Sequence, residues 1–292
     1  MPDTVTPQSW GMTAFFALPD WSALADLADD QVPLLGSALL IAHDEYPDLD
    51  PAACNALVEA HVASLRPEVD RIDSAPLKMQ AINRRLFEEL GYAGNHDEYY
   101  DPRNSYLNEV LTRRLGNPIS LAVIQMEVAH RLGVALDGVS FPGHFLVRLP
   151  VDDGVLVMDP FNRGRPLNAD ELRQRARPHF GEDVPDEALM QILDPAPPRA
   201  ILVRMLRNLH GLYVESSDWG RAVRCSDRIL RLVPDNAEAL RDRGLGYSEL
   251  GHRAGALRDL GRYLQTMPDA DDAEAIRHRL VEQGSQRRTP LH

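Results

Sequence analysis

His144 and Asp159 are the residues of this sequence best suited to acid–base chemistry, and they stand near the ends of SFPGHFLVRLPVDDGVLVMDP, residues 140–160. A histidine held by a carboxylate is oriented and made more basic, so it can take a proton from a nucleophile. HFLVRL and VLVMD read as β-strands, and PVDDG between them is a Pro/Asp/Gly turn. With residues 150–153 as the loop, position 149 pairs with 154 and His144 falls opposite Asp159. Their Cβ atoms would then lie about 5 Å apart on one face. A slip of one residue would send them to opposite faces. Asp159 also begins DPFN, an Asp-Pro turn, which gives it a purely structural alternative.

Such a pair needs a nucleophile, and a helix N-terminus is a good place for one, because its dipole and free amides stabilise a thiolate or an oxyanion. GNPISLAVIQMEVAHRLGV supplies that terminus, with Asn117 as N-cap, Pro118 at the first helical position and Gly133 as the stop. Ser120 is the one hydroxyl in its first turn. A serine there serves equally to satisfy backbone donors beside an asparagine cap.

The elements around this group are mostly helical. Asp20 caps DWSALADLADD, and VPLLGSALLIAHDEY is apolar on most faces. Asp50 and Pro51 open DPAACNALVEAHVASL. PLKMQAINRRLFEELGY puts Leu77, Ile82, Leu86 and Leu90 on one stripe and ends at Gly91. Residues 93–104 form a polar, aromatic loop in which His96, Tyr99, Tyr100 and Asp101 either border a cleft or lie on plain surface. Asn104 and Asn108 cap or brace the amphipathic helix NSYLNEVLTRRL, and Gly143 in FPGH either makes a tight bend or lets a ligand or strand approach. NRG at 162–164 turns the chain before the helix NADELRQRARPHF.

DPAPPRA, residues 194–200, is a proline-rich hinge that separates residues 1–193 from residues 201–292. Beyond it Ala222 matches Ala256, Leu230 matches Leu264, Pro234 matches Pro268 and Asp235 matches Asp269, each at a separation of 34. That period, with small residues at the helix crossing and proline after the second helix, is the tetratricopeptide pattern. NLHGLYVESSDW supplies a preceding helix, AIRHRLVEQG a terminal one and SQRRTPLH a frayed tail. So few repeats are expected to dock onto the first unit for stability.

The order of helix start, His strand and Asp strand resembles the transglutaminase-like core of papain-like cysteine enzymes. NSYLNEVLTRRLGNPISLAVIQMEVAHRLGV, GVSFPGHFLVRL, DPFNRG and the repeats that follow resemble the SirB-type family of bacterial transglutaminase-like proteins, over roughly residues 20–270. The resemblance implies an α+β fold: a helical N-terminal region, a transglutaminase-like core and an all-α tetratricopeptide domain. It also implies a nucleophilic cysteine at the start of the helix, near Pro118, or at Ser120 with an offset of two. Here the sequence departs from the family's active members, because residues 100–220 contain no cysteine. Cys54 and Cys225 fall in helical segments where a small apolar side chain is the usual need.

Composition narrows the functions. Hydrophobic residues are 44% and charged residues 26%, which places the chain among globular proteins rather than disordered ones. Net charge is −13, with −15 in residues 1–200 and +2 in residues 201–292, which argues against nucleic acid as a partner of the first unit. No apolar run is long enough for a membrane span and no signal peptide is visible, so a cytoplasmic protein with no membrane partner is expected. The histidines show no zinc spacing and no glycine-rich phosphate loop occurs, so neither metal nor cofactor is expected. The expected function is protein binding or regulation on a transglutaminase-like core without its thiol, so the chain is read as leaning away from enzyme activity. The repeats would grip a protein or peptide partner, with Asn208, Arg243 and Tyr247 as candidate contacts. The alternatives are an acyl-transfer or amide-hydrolysing enzyme using Ser120, His144 and Asp159, and a ligand pocket without chemistry, for a peptide carboxylate or amide.

Overall fold

The computed structural model describes residues 16–152, 154–181 and 184–285. The opening MPDTVTPQSWGM and, apart from Ser285, the tail expected to fray lie outside them.

The N-terminal helices begin where their caps predict. Asp20 accepts from the Ser22 amide at 2.8 Å and starts α1 (Trp21–Asp26). The apolar α2 (Leu34–His43) is buried on nearly every side. Asp50 accepts from the Ala52 and Ala53 amides ahead of Pro51, opening α3 (Pro51–Val69). α4 (Ala75–Asn83) runs into a π-helical turn at Arg84–Glu89 and stops before Gly91, whose φ is 76°. Leu77, expected on the buried stripe, is instead 54% exposed. The core-facing residues of α4 are Met79, Ala81 and Ile82, and Leu77 in the first turn lies beyond their reach.

The loop after α4 is more ordered than its polarity suggests. Its first residues form β1 (Ala93–Gly94), parallel to β2 (Leu115–Gly116) after α5 (Leu107–Arg113). α6 (Pro118–Arg131) follows with its first turn entirely buried, as its apolar sequence requires. Four antiparallel strands come next, β3 (Asp137–Val139), β4 (Leu146–Val151), β5 (Gly154–Asp159) and β6 (Arg165–Leu167), in the spatial order β3-β4-β5-β6. Alternate residues serve two cores: Val147, Leu149 and Met158 join the main core with α6, while Leu146 and Val157 face Leu172 and Ala176 of α7 (Ala169–Phe180). α8 (Asp186–Ile192) completes that second, smaller core with Leu189.

The hairpin register differs from the expected one by two residues. Val147 pairs with Met158 and Val151 with Gly154, so the strands run further and the turn shrinks to residues 152 and 153. Asp153 itself lies outside the described residues. Pro150, expected in the turn, pairs with Val155 inside the ladder. A two-residue shift preserves the face of every side chain, since the pleat repeats every two residues. His144 precedes the ladder altogether, in a turn closed by its amide donating to the Phe141 carbonyl at 3.1 Å.

The remainder is helical. α9 (Pro198–Glu215) begins within the proline-rich segment. α10 (Trp219–Leu232), α11 (Ala237–Glu249), α12 (Arg253–Thr266) and α13 (Ala273–Ser285) follow as two helix pairs. α10 and α12 start 34 residues apart, with Ala222 and Ala256 almost wholly buried. These helices share one continuous apolar core with α2 to α6, through Leu202, Met205 and Leu209 of α9. Polar contacts reinforce the join: the Tyr106 and Tyr213 hydroxyls meet at 2.5 Å, and the Arg199 guanidinium donates to the Leu24 and Leu27 carbonyls and pairs with Asp29.

Candidate functional site

The site is framed by the N-terminus of α6, the His144 turn and α9. At the helix start, Asn117 and Ser120 form a reciprocal cap: the Asn117 side chain accepts from the Ser120 amide at 3.0 Å, and the Ser120 hydroxyl accepts from the Asn117 amide at 3.1 Å. The Ser120 hydroxyl donates its proton to the Asn104 carbonyl at 2.6 Å. Ser120 is fully buried, and its oxygen fills the space left by Gly116, where a Cβ would lie 2.7 Å from it. Asn104 is the brace for this corner. Its amide group donates to the Glu98 and Tyr99 carbonyls and accepts from Asn95, tying the aromatic loop to the start of α6 rather than only to α5.

His144 reaches Asp159 across the end of the hairpin. The bend that aims it uses Gly143 at φ 67°, a left-handed conformation that disfavours side chains. The His144 Nε2 lies 2.9 Å from Asp159 Oδ1. The carboxylate is fully buried and receives five donors: His144, the Phe161 and Asn162 amides, the Asn162 side chain and, at 2.8 Å, Arg175 from α7. Both sequence readings of Asp159 therefore hold together, since it caps the short 3-10 turn Pro160–Asn162 while it binds the imidazole. Burial alone would push its pKa up. The His144 hydrogen bond and charge, with Arg175 and Asn162, more than offset that and hold the carboxyl well below the usual range.

An ionised Asp159 accepts only, so the imidazole presents an N–H to it at Nε2, and Nδ1 is the ring nitrogen left for another partner. Among the described residues no side chain hydrogen-bonds to Nδ1. Phe161 packs edge-on beneath the ring at 6.1 Å and also carries His96 at 4.5 Å and Tyr99 at 5.7 Å. The loop read as bordering a cleft does so through Tyr99 and Tyr100, while Asp101 is turned to capping Arg103.

These elements enclose a cleft of about 390 Å³. One wall is Asn117, Pro118 and Ile119 with His144; the facing wall is α9, through Arg204, Asn208, Gly211 and Glu215. Pro118, one of the two positions at which the family resemblance implies a nucleophile, lines it without a reactive atom. The hydroxyl of Ser120 is directed to Asn104 and is not a hydrogen-bond partner of His144. Neither cysteine is at the cleft. Cys54 is buried in α3, its thiol pushed up by burial and by Asp50, and Cys225 is buried in α10, its thiol pushed up to about 12 by burial. Among the described residues no three His, Cys, Asp or Glu side chains gather as a metal would require. No helix among them is long and apolar enough to cross a membrane.

Of the three expected repeat contacts, Asn208 lines the cleft, whereas Arg243 is paired with Asp227 and Asp259, and Tyr247 lies against His252. Sequence reading did not find Arg175, Phe161 or Arg204. Phe161 and Asn162 sat within the DPFN motif, which was a usable signal; Arg204, sixty positions from the carbonyl of His144 that it approaches at 3.4 Å, had none.

Comparison with known proteins agrees with this architecture. Residues 52–207 match the transglutaminase-like superfamily, and residues 209–281 match a tetratricopeptide repeat family. A UPF0162 protein of Xylella fastidiosa strain Temecula1 is 65% identical over 271 residues, 92% of this chain and 96% of the relative. A UPF0162 protein of Pseudomonas aeruginosa is 32% identical over 94% of this chain and 99% of its own length. The protein SirB1 of Salmonella typhimurium is 25% identical over 87% of this chain and 94% of its own. With its core matched over more than half the chain and near-full-length relatives at 32% and 65% identity, this chain, which also carries a C-terminal tetratricopeptide match, belongs to the transglutaminase-like superfamily and to the UPF0162 family.

Proposed function

We propose that this chain is a peptide- or protein-binding protein in which the transglutaminase-like cleft serves recognition, not acyl transfer. In this reading residues 1–193 supply the dyad wall, residues 194–200 join the units, and residues 201–292 supply the facing wall, in a cytoplasmic protein. The observation that carries it is the state of Ser120, the one hydroxyl at the start of α6: fully buried, with its proton given to the Asn104 carbonyl. A nucleophile must instead give its proton to the base as it attacks. The thiols offer no substitute, since both are buried away from His144. Tetratricopeptide repeats generally mediate protein–protein contact, and here α9, which runs from the end of the transglutaminase-like match into the start of the repeat match, forms one side of the cleft.

One observation favours the rival reading. The His144–Asp159 pair has the geometry of a general base and its orienting carboxylate, with Nδ1 unengaged. Acyl transfer through Ser120 would require the hydroxyl to leave Asn104 and reach that nitrogen. Full-length protein treated with a fluorophosphonate and, separately, with iodoacetamide decides between the two. Binding without chemistry predicts no stoichiometric adduct with either reagent. Fluorophosphonate labelling that vanishes in both Ser120→Ala and His144→Ala would establish the enzyme instead.

A further inference from the structure

Arg204 is a half-buried cation with no carboxylate to neutralise it among the described residues. Its guanidinium makes one long hydrogen bond, 3.4 Å to the His144 carbonyl, and among the described residues no carboxylate pairs with it. The neighbouring Arg207 is already committed to Glu238 and adds only repulsion. Burial, and after it the charge of Arg207, lowers the Arg204 pKa, as expected of a cation without a counter-charge. Long cationic side chains are seldom drawn inward unless paired, because desolvation without compensation is costly. Arg204 is held in this state on the wall of the cleft, facing His144.

We propose that Arg204 receives the carboxylate of a bound peptide, which supplies the missing counter-charge. This rests on the binding role of the cleft proposed above and names its ligand. A guanidinium suits a carboxylate because its forked donors match both oxygens. The cleft suits a short peptide because its lining alternates polar and apolar groups: Tyr99 and Tyr100 stand exposed at the mouth, and Asn208, one turn beyond Arg204, can meet a peptide group. Glu215 closes the far end of the same helix, eleven residues on, or about 16 Å along its axis. That length matches an extended run of about five residues. The charge gradient from Arg204 to Glu215 orients the peptide with its carboxylate at Arg204. Of the two guanidiniums that line the cleft, Arg207 is already paired with Glu238, so one uncompensated charge remains on a chain of net charge −13, which favours a monoanion over a phosphate dianion.

The test uses full-length protein and two pools of dye-labelled pentapeptides, one ending in free carboxylates and one amidated, with binding read by fluorescence anisotropy. The free-carboxylate pool is expected to bind at least about tenfold more tightly, the effect of one charge-assisted contact. Arg204→Met should reduce that binding to the amidated level while raising Tm, because it removes an uncompensated charge. Gly211→Leu, whose Cβ would meet no atom within 4 Å, should plug the cleft and abolish binding of both pools without loss of Tm. Equal binding of the two pools, blocked by Gly211→Leu, would overturn the carboxylate role and leave the peptide cleft standing. Binding of neither pool, or binding indifferent to Gly211→Leu, would overturn both. A lower Tm in Arg204→Met with unchanged affinity would make Arg204 structural, and displacement of the probe by inorganic phosphate at lower concentration than by acetate would assign the site to phosphate.

Discussion

Along α10, three arginines reach back to the end of α2 and each finds a carboxylate: Arg221 and Arg224 share Glu45, and Arg228 holds Asp44 at 2.7 Å. Along α9, on the same seam between core and repeats, Arg204 finds none among the described residues. Arg175 is the instructive third case, since it too approaches the candidate site, yet it is matched by Asp159 at 2.8 Å. These four arginines are each matched to a carboxylate of this chain. The closed stretch fastens the two units, and the open one, beside a cavity, is where an external group would complete the electrostatics.

The comparison breaks most visibly if a matched arginine is made to resemble Arg204. Asp159→Ala would strip the buried partner from Arg175, the anchor from His144 and the cap from Pro160–Asn162 at once. A loss of about 3–5 kcal/mol is expected, measured by urea unfolding. A loss under about 1 kcal/mol would mean that the network carries little of the fold's stability. Asp44→Ala does the same to Arg228 at a less buried place and should cost about 2 kcal/mol, with α10 loosening first in hydrogen exchange. Ser120→Ala should cost about 1 kcal/mol, the value of a helix-start cap, and leave peptide binding intact. Loss of binding in that variant would draw Ser120 into the site after all.

The smallest effect near neutrality is that of pH. Asp159 and Glu45 are both held below their ordinary carboxylate values, Asp159 against its burial by His144 and Arg175, and Glu45 chiefly by Arg221. Their folded-state pKa values are lowered, so the unfolded chain takes up protons first as pH falls. Their contribution is full above the unfolded value near pH 4 and is lost below it. Urea midpoints should thus change little from pH 7 to 5 on this account and fall steeply below about 4, with a shallower fall in Glu45→Gln. An unchanged acid slope in that variant would show the α10 seam to be electrostatically idle.

Much of the fold was legible because its signals are local. Asp20, Asp50 and Asn117 cap the helices their positions announce, and the 34-residue spacing of Ala222 and Ala256 reports two equivalent helix crossings. The His144–Asp159 pair was also legible, although the assumed register was displaced. The true shift of two residues keeps parity, and the carboxylate also receives Arg175, a donor from an element not considered. Leu77 was misplaced because a periodic stripe says which face of a helix is apolar and not how far the neighbouring core extends.

The amino-acid sequence by itself determined the order of elements, the imidazole and carboxylate that meet at the hairpin's end, and the lack of a thiol at the helix start. Caps, pleat parity and repeat periods act over a few residues, so they can be read from neighbours along the chain. Tertiary structure alone decided that the Ser120 hydroxyl turns to Asn104, that α9 faces His144 across a cleft, and that Arg204 has no counter-charge among the described residues. Each of those depends on which groups distant in sequence arrive within hydrogen-bond reach, and burial sets its energetic weight only once the core has closed.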